Sequence, residues 1–292
     1  MKKLAKIFII VSIVAVLALS SALLVACNKN DAKTITVCAS DVPHAEILNG
    51  IVKDILKEKG YMLKVKILDW QEQNGAVANG DYDANYFQHL PYLLSDSSAT
   101  GLFFTCKVHY EPLGIYYGKA SSGTPVTAGT SFAICNDPSN AARALQLLEA
   151  NGVFSKDVEG DNYPLTNDGE LAFSSDTWTS VAGVRIQLIA ENLLVASMPD
   201  YDFVCLPCNT ALTGNVSADA NHRAAVESDP AQVTGKANGL AARQSDYQND
   251  ENYKAKIDAL TDALLSKGVA DFIAEHYNNV ILCNSSTQID LR

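Results

Sequence analysis

The sequence predicts an α/β protein of two lobes, and two observations carry that reading. A strand–helix–strand pattern runs through residues 34–68. A second strand–helix pattern then starts afresh at residue 131, after the loop Ser121-Ser122-Gly123-Thr124-Pro125. The chain of 292 residues is long enough for two cores, and 48% hydrophobic against 19% charged residues excludes a disordered chain.

Residues 1–26 stand apart from this pattern. Lys2, Lys3 and Lys6 precede an apolar run from Ile7 to Ala26, broken only by Ser12, Ser20 and Ser21. The run closes on Leu24-Val25-Ala26-Cys27, and polar Asn28-Lys29-Asn30-Asp31 follows. A basic start, an apolar stretch and small residues before a cleavage point describe an export signal. A cysteine at that point makes it a lipobox, with Cys27 lipidated as the new N-terminus and 27–33 a short tether. An uncleaved membrane anchor is the alternative, because about 20 apolar residues span a bilayer. Both readings put the remaining chain outside the cytoplasm, facing the extracytoplasmic side.

The elements then follow in order. Thr34 to Ala39 is β-rich, and Ile47, Leu48, Ile51, Val52, Ile55 and Leu56 recur at helical spacing before Gly60 stops the helix. Residues 63–68 alternate as a strand, 71–78 form a helix stopped by Asn79-Gly80, and 83–87 form a short strand. Leu102 to Tyr117 is one long β-prone stretch. Past the loop, Ser131 to Cys135 is a strand. Asp137 is a natural cap and Pro138 a natural first residue of a helix carrying Leu145, Leu147 and Leu148. Residues 202–206 form a buried strand, 235–243 a strand returning to the first lobe, and 252–266 and 269–277 two closing helices. Strands feeding helix N-termini on both sides of a cleft make the loops after residues 39, 87, 137 and 208 the candidate walls of a ligand site.

Composition and motifs narrow the chemistry. With 22 basic against 33 acidic residues the net charge is −11, which argues against nucleic acid as a partner. No nucleophile elbow and no Gly-rich phosphate loop is present. Cys38 and Cys135 sit in apolar strands. Cys205 and Cys208 have CxxC spacing without a second half-site, which leaves buried thiols or a local disulfide. Asn85 to Tyr92 is the densest polar-aromatic cluster, suited to a small amphiphilic ligand. Arg143, near the start of its helix with Asn140 at i−3, needs an anion: a ligand carboxylate or a surface acid. His44, His89, His109 and Glu111 are the candidates of an alternative metal-binding reading, without HxH or HExxH spacing.

Four blocks carry a family resemblance. They are Ala39 through Leu48, Asp83 through Leu93, His109 through Tyr116, and Asn136-Asp137-Pro138-Ser139-Asn140 with Arg143-Ala144-Leu145. In this order, behind a lipobox, they resemble the methionine-binding lipoproteins that serve ABC importers of methionine. The resemblance implies a bilobal fold of the type II periplasmic-binding-protein kind, with lobes joined by hinge strands. Lobe I would comprise 34–116 and 239–292, and lobe II 117–238. It implies no cofactor, no resident metal and no catalysis. It implies a methionine-like amino acid or dipeptide as ligand, of either hand, and an ABC permease with its ATPase as partners. By position, Trp70, Phe87, His89 and Tyr92 would line the thioether pocket. Arg143 would hold the carboxylate beside Asn140, Asn209 and Asn238 would bind the head group, and His109 and Glu111 would lie at the cleft floor. Residues 174–200 depart most from the family pattern.

Overall fold

A computed structural model describes residues 32–155, 164–165, 171–172, 177–219, 221–228, 235–277 and 282–283. The leader, Cys27 and most of the tether lie outside the described residues. The first lobe opens with strand β1 (Thr34–Ala39), two wide helical turns (Asp41–Ala45 and Leu48–Val52) and helix α1 (Lys53–Glu58). Gly60, at φ 79°, takes the left-handed conformation that ends the helix. Strand β2 (Met62–Ile67), helix α2 (Trp70–Ala78), strand β3 (Ala84–His89) and helix α3 (Leu90–Ser95) follow. Strand β4 (Leu102–Tyr110) completes this part of the chain.

The second lobe holds β5 (Gly114–Tyr117), β6 (Ser131–Cys135) and helix α4 (Pro138–Ala150). It continues with β7 (Thr177–Thr179), β8 (Arg185–Ile189), helix α5 (Glu191–Ser197), β9 (Phe203–Leu206), helix α6 (Cys208–Thr213) and β10 (Arg223–Val226). The chain then returns through β11 (Asn238–Arg243) to helices α7 (Gln244–Asn249), α8 (Glu251–Leu264) and α9 (Lys267–Tyr277), and to β12 (Leu282–Cys283). No helix among the described residues is long and apolar enough to cross a membrane.

Two six-stranded sheets result, ordered β12-β4-β11-β3-β1-β2 and β10-β5-β9-β6-β8-β7. In each, a parallel centre carries the βαβ units: β1 runs parallel to β2 and β3, and β6 parallel to β8 and β9. Antiparallel strands lie on the flank where the chain changes lobe, β11 against β3 and β4, and β5 against β9. Each sheet has its own core. Ile35, Val37, Leu56, Leu240 and Leu260 belong to the first, and Phe132, Ile134, Leu145, Leu148 and Phe203 to the second.

The lobe boundary corrects the expectation from sequence. β5 belongs wholly to the second sheet, so the outward crossing lies at 111–113, ahead of the expected 116/117 junction. The return is complete by Asn238, which already pairs with His89 and His109. The uninterrupted β-prone run over 102–117 hid the crossing, because one extended stretch supplies two strands in two different sheets. The closing helix buries Ile273 fully but Phe272 only in part. Cys205 and Cys208 are buried thiols outside any disulfide, as are Cys38, Cys106 and Cys135.

Gly239 fixes the start of β11. The register of β11 slips on both sides of it, and a Cβ there would lie 1.8 Å from the Cys106 carbonyl oxygen. Only a residue without a side chain fits so near a neighbouring backbone. Gly239→Ala is therefore expected to destabilise the fold by about 2 kcal/mol or more. Denaturant titration checks this, and a change under about 0.5 kcal/mol would contradict the packing described here.

Candidate functional site

The ends of β1, β3, β6 and β9 converge on one cleft, as expected for strand carboxyl ends in open α/β sheets. Its volume is about 430 Å³, counting the part open to solvent. Ser40, Trp70, Phe87, Gln88, His89, Tyr92 and Asn238 line it from the first lobe. Asn140, Arg143, Glu191, Pro207 and Asn209 line it from the second, and Glu111 lines it at the crossing. The structure thus gathers Trp70, Phe87, His89, Tyr92, Asn140, Arg143, Asn209 and Asn238 around one space, although they are spread over 169 positions of sequence.

The first-lobe wall is aromatic. Tyr92 meets Trp70 edge-on with ring centroids 5.1 Å apart, and meets Phe87 likewise at 5.8 Å. These are the arrangements that ring quadrupoles favour. His89 ends β3 and caps α3: its Nδ1 accepts from the Tyr92 backbone N–H at 3.1 Å. Burial, reinforced by the Arg143 charge, pushes its pKa down to about 4, so the ring is neutral near pH 7. With Nδ1 accepting, the ring proton sits on Nε2, which donates to Asn140 Oδ1 at 3.3 Å. One hydrogen bond therefore links the two lobes across the cleft.

The second-lobe wall is built on α4. Asp137 caps it by accepting from the Asn140 N–H at 2.9 Å, and Pro138 is its first residue. Arg143 is buried, not the surface cation that a helix-start arginine suggests. Its anion is Glu227, which sequence reasoning missed. Nε contacts both carboxylate oxygens at 2.8 Å, and Nη2 reaches Oε2 at 2.5 Å and the Glu111 carbonyl at 2.5 Å. Glu227 also accepts from Tyr110 Oη, from the Leu113 N–H and from Lys236 Nζ. Burial alone would raise the Glu227 pKa, but Arg143 and these other donors bring it down to about 2. Nothing local in the sequence marks Glu227; only the unmet need of Arg143 for an anion pointed to such a group.

Behind the cleft floor lies a buried polar cluster. Tyr86 Oη lies 2.5 Å from His109 Nδ1, and His109 Nε2 donates to Glu111 Oε1 at 2.7 Å. His44 Nε2 lies 3.4 Å from the same oxygen and 3.2 Å from Asn238 Nδ2. Burial depresses the His44 pKa to about 3. Burial works against the charge on Glu111 too, yet the neighbouring histidines and Arg143 hold its pKa below the usual range. His109 does not line the cleft: it stands behind Glu111 and orients it. The four-residue metal reading breaks up. Ligand atoms of His44, His109 and Glu111 gather within 4.8 Å, but His89 lies outside that group. Both nitrogens of His109 are already engaged in hydrogen bonds.

Sequence reasoning also missed Ser40, Gln88, Pro207 and Glu191 as lining residues. Gln88 interlocks with Asn74 and Asn85 through buried amide hydrogen bonds of 2.6–3.0 Å, which brace the end of β3. Its place in the Asn85–Tyr92 cluster was the available signal.

A two-sheet α/β frame with a mixed aromatic and ionic cleft at its strand ends defines a solute-binding class of protein. The chain belongs to the NlpA lipoprotein family, whose model matches residues 35–283. It is 31% identical to the methionine-binding lipoprotein MetQ of Bacillus subtilis over 92% of this chain and 96% of that one. A lipoprotein structure from Ruminococcus gnavus superposes with a TM-score of 0.73 at 33% identity, covering 86% of this chain and 99% of that one. A nutrient-binding protein from Burkholderia cenocepacia, solved bound to methionine, gives 0.71 at 28% identity, covering 86% and 99%.

Glu227 yields a pH prediction. Its folded pKa lies below that of a free glutamate, so its stabilisation is complete above about pH 4.5 and is lost as pH falls toward about 2. Glu227→Gln is expected to cost about 3–5 kcal/mol near neutral pH, because Arg143 is left buried without its anion. The variant should also flatten the acid limb of the stability curve. Urea titrations across that range read both effects, and a loss below about 1 kcal/mol would contradict the pairing.

Proposed function

We propose that this chain is a lipid-anchored, extracytoplasmic receptor that binds methionine or a closely related amino acid and delivers it to an ABC permease with its ATPase. Cys27 carries the lipid in this reading, and the protein performs no catalysis of its own. The observation that carries the proposal is the pairing of a fixed guanidinium on one wall with an aromatic wall opposite. Arg143 takes the ligand carboxylate with the guanidinium edge that Glu227 leaves over, and Asn140, Asn209 and Asn238 complete the polar shell. Trp70, Phe87 and Tyr92, with His89, receive the thioether, where sulfur against ring edges gains about 0.3–1.5 kcal/mol per contact. Glu227 offsets the charge of Arg143, so this pair by itself does not favour a simple anion over a zwitterion. Closure then follows by hinge bending at the crossing strands.

Calorimetric titration with L- and D-methionine tests the reading. Arg143→Lys keeps a cation for Glu227 but loses the planar fork, so affinity is expected to fall about tenfold to a hundredfold. Trp70→Ala should cost about tenfold while leaving leucine and methionine less well distinguished. Wild-type affinity in both variants would sink the assignment.

A further inference from the structure

The second lobe contributes a further charged group to the cleft, Glu191. Glu191 is the first residue of α5, directly beyond β8, and its side chain lines the cleft from the second lobe. Thr210 Oγ1 on α6 donates to its Oε1 at 2.5 Å. Among the described residues Thr210 is the one side-chain hydrogen-bond partner found for Glu191, which is half-buried and leaves Oε2 toward the cleft. Thr210 adjoins Asn209, so this carboxyl group sits beside the proposed head-group ligands.

The other charged groups around the cleft are already committed. Arg143 is tied to Glu227 and to the Glu111 carbonyl. Glu111 holds His109 and stands beside His44. Glu191 alone of the two lining carboxylates is held by nothing but a neutral hydroxyl. An amino acid brings one anion, which Arg143 takes in the proposed reading, and one ammonium group, which needs acceptors in the cleft.

Resting on the amino-acid reading of the cleft, we propose that Glu191 is a specificity residue, whose free carboxylate oxygen receives the ligand's ammonium group from the second lobe. The charged groups facing it support a linked proton. Burial, together with the nearby negative charges of Asp137, Glu111 and Asp69, outweighs the Thr210 hydrogen bond and raises the Glu191 pKa to about 7. The unliganded carboxyl is thus partly protonated near neutral pH, and an arriving ammonium group displaces that proton to solvent. The sign follows: the ligand prefers the ionised form, so affinity is level above about pH 7 and falls by up to about tenfold per pH unit below it. Tyr92 and Cys135, which also face Glu191, have pKa values that burial pushes upward, and His89 and His44 have theirs pushed down to about 4 and about 3, so none of them titrates in that window.

The test is calorimetry of the full folded chain with L-methionine, in two buffers of different ionisation enthalpy near neutral pH. The expected result is release of roughly half a proton per ligand bound. Glu191→Gln keeps an acceptor for Thr210 and removes only the charge. It should lose about tenfold or more in affinity at about pH 8, release no proton and bind independently of pH down to about 5.5. The deaminated analogue 4-methylthiobutanoate lacks the ammonium group, so it should bind both proteins alike and without proton release. A folded Glu191→Gln protein with wild-type affinity, proton release and pH profile for methionine would overturn this inference alone. A wild-type chain that binds no methionine would overturn both this inference and the reading on which it rests.

Discussion

The buried ion pair between Arg143 and Glu227 ties the lobe crossings to the second-lobe wall of the cleft. Two charges removed from water cost several kcal/mol each unless their remaining donors and acceptors are met. Here they are met. Glu227 takes Arg143, the Tyr110 hydroxyl, the Leu113 N–H and Lys236. Tyr110 ends the last first-lobe strand before the crossing, Leu113 lies in the crossing itself, Arg143 belongs to the second lobe's first helix, and Lys236 precedes the returning strand. One carboxylate therefore fastens both connections between the lobes to the helix that carries the cleft's cation.

Two consequences follow for the cleft. The guanidinium is fixed in direction, so the ligand carboxylate proposed for it would meet a preorganised group and would not have to order a mobile one. The pair is also close to neutral, so in the proposed reading selectivity comes from a local edge of charge facing a wall of rings. The His89–Asn140 bond adds a second tie across the gap, and it requires the neutral, Nε2-protonated imidazole that burial enforces. The Tyr86–His109–Glu111 chain works on the same plan one layer deeper, since each buried donor finds its acceptor and Glu111 is held in place at the floor.

Much of the fold was legible because local and tertiary signals agree. The β-rich run at Thr34 to Ala39, the stop at Gly60, and the Asp137-Pro138 helix start each appear where the structure has them. The lobe crossing was misplaced because Leu102 to Tyr117 reads as one extended stretch, and sheet membership is decided by partners far away in sequence. The cleft residues were legible where they cluster in motifs, as at Phe87, His89 and Tyr92. Glu227 and Glu191 were not, for a physical reason. A lone acid in a mixed segment carries no periodicity, and its meaning comes only from the cation or the cavity that folding brings beside it. Burial likewise turned Arg143 from an apparent surface cation into the centre of the second-lobe wall.

A crystal structure of the protein grown with L-methionine is the direct test. One methionine is expected in the cleft, its carboxylate on Arg143 with the Glu227 pair intact, and its sulfur among Trp70, Phe87 and Tyr92. A methionine seated elsewhere, one turned with its carboxylate away from Arg143, or a cleft that stays empty at saturating methionine would contradict it.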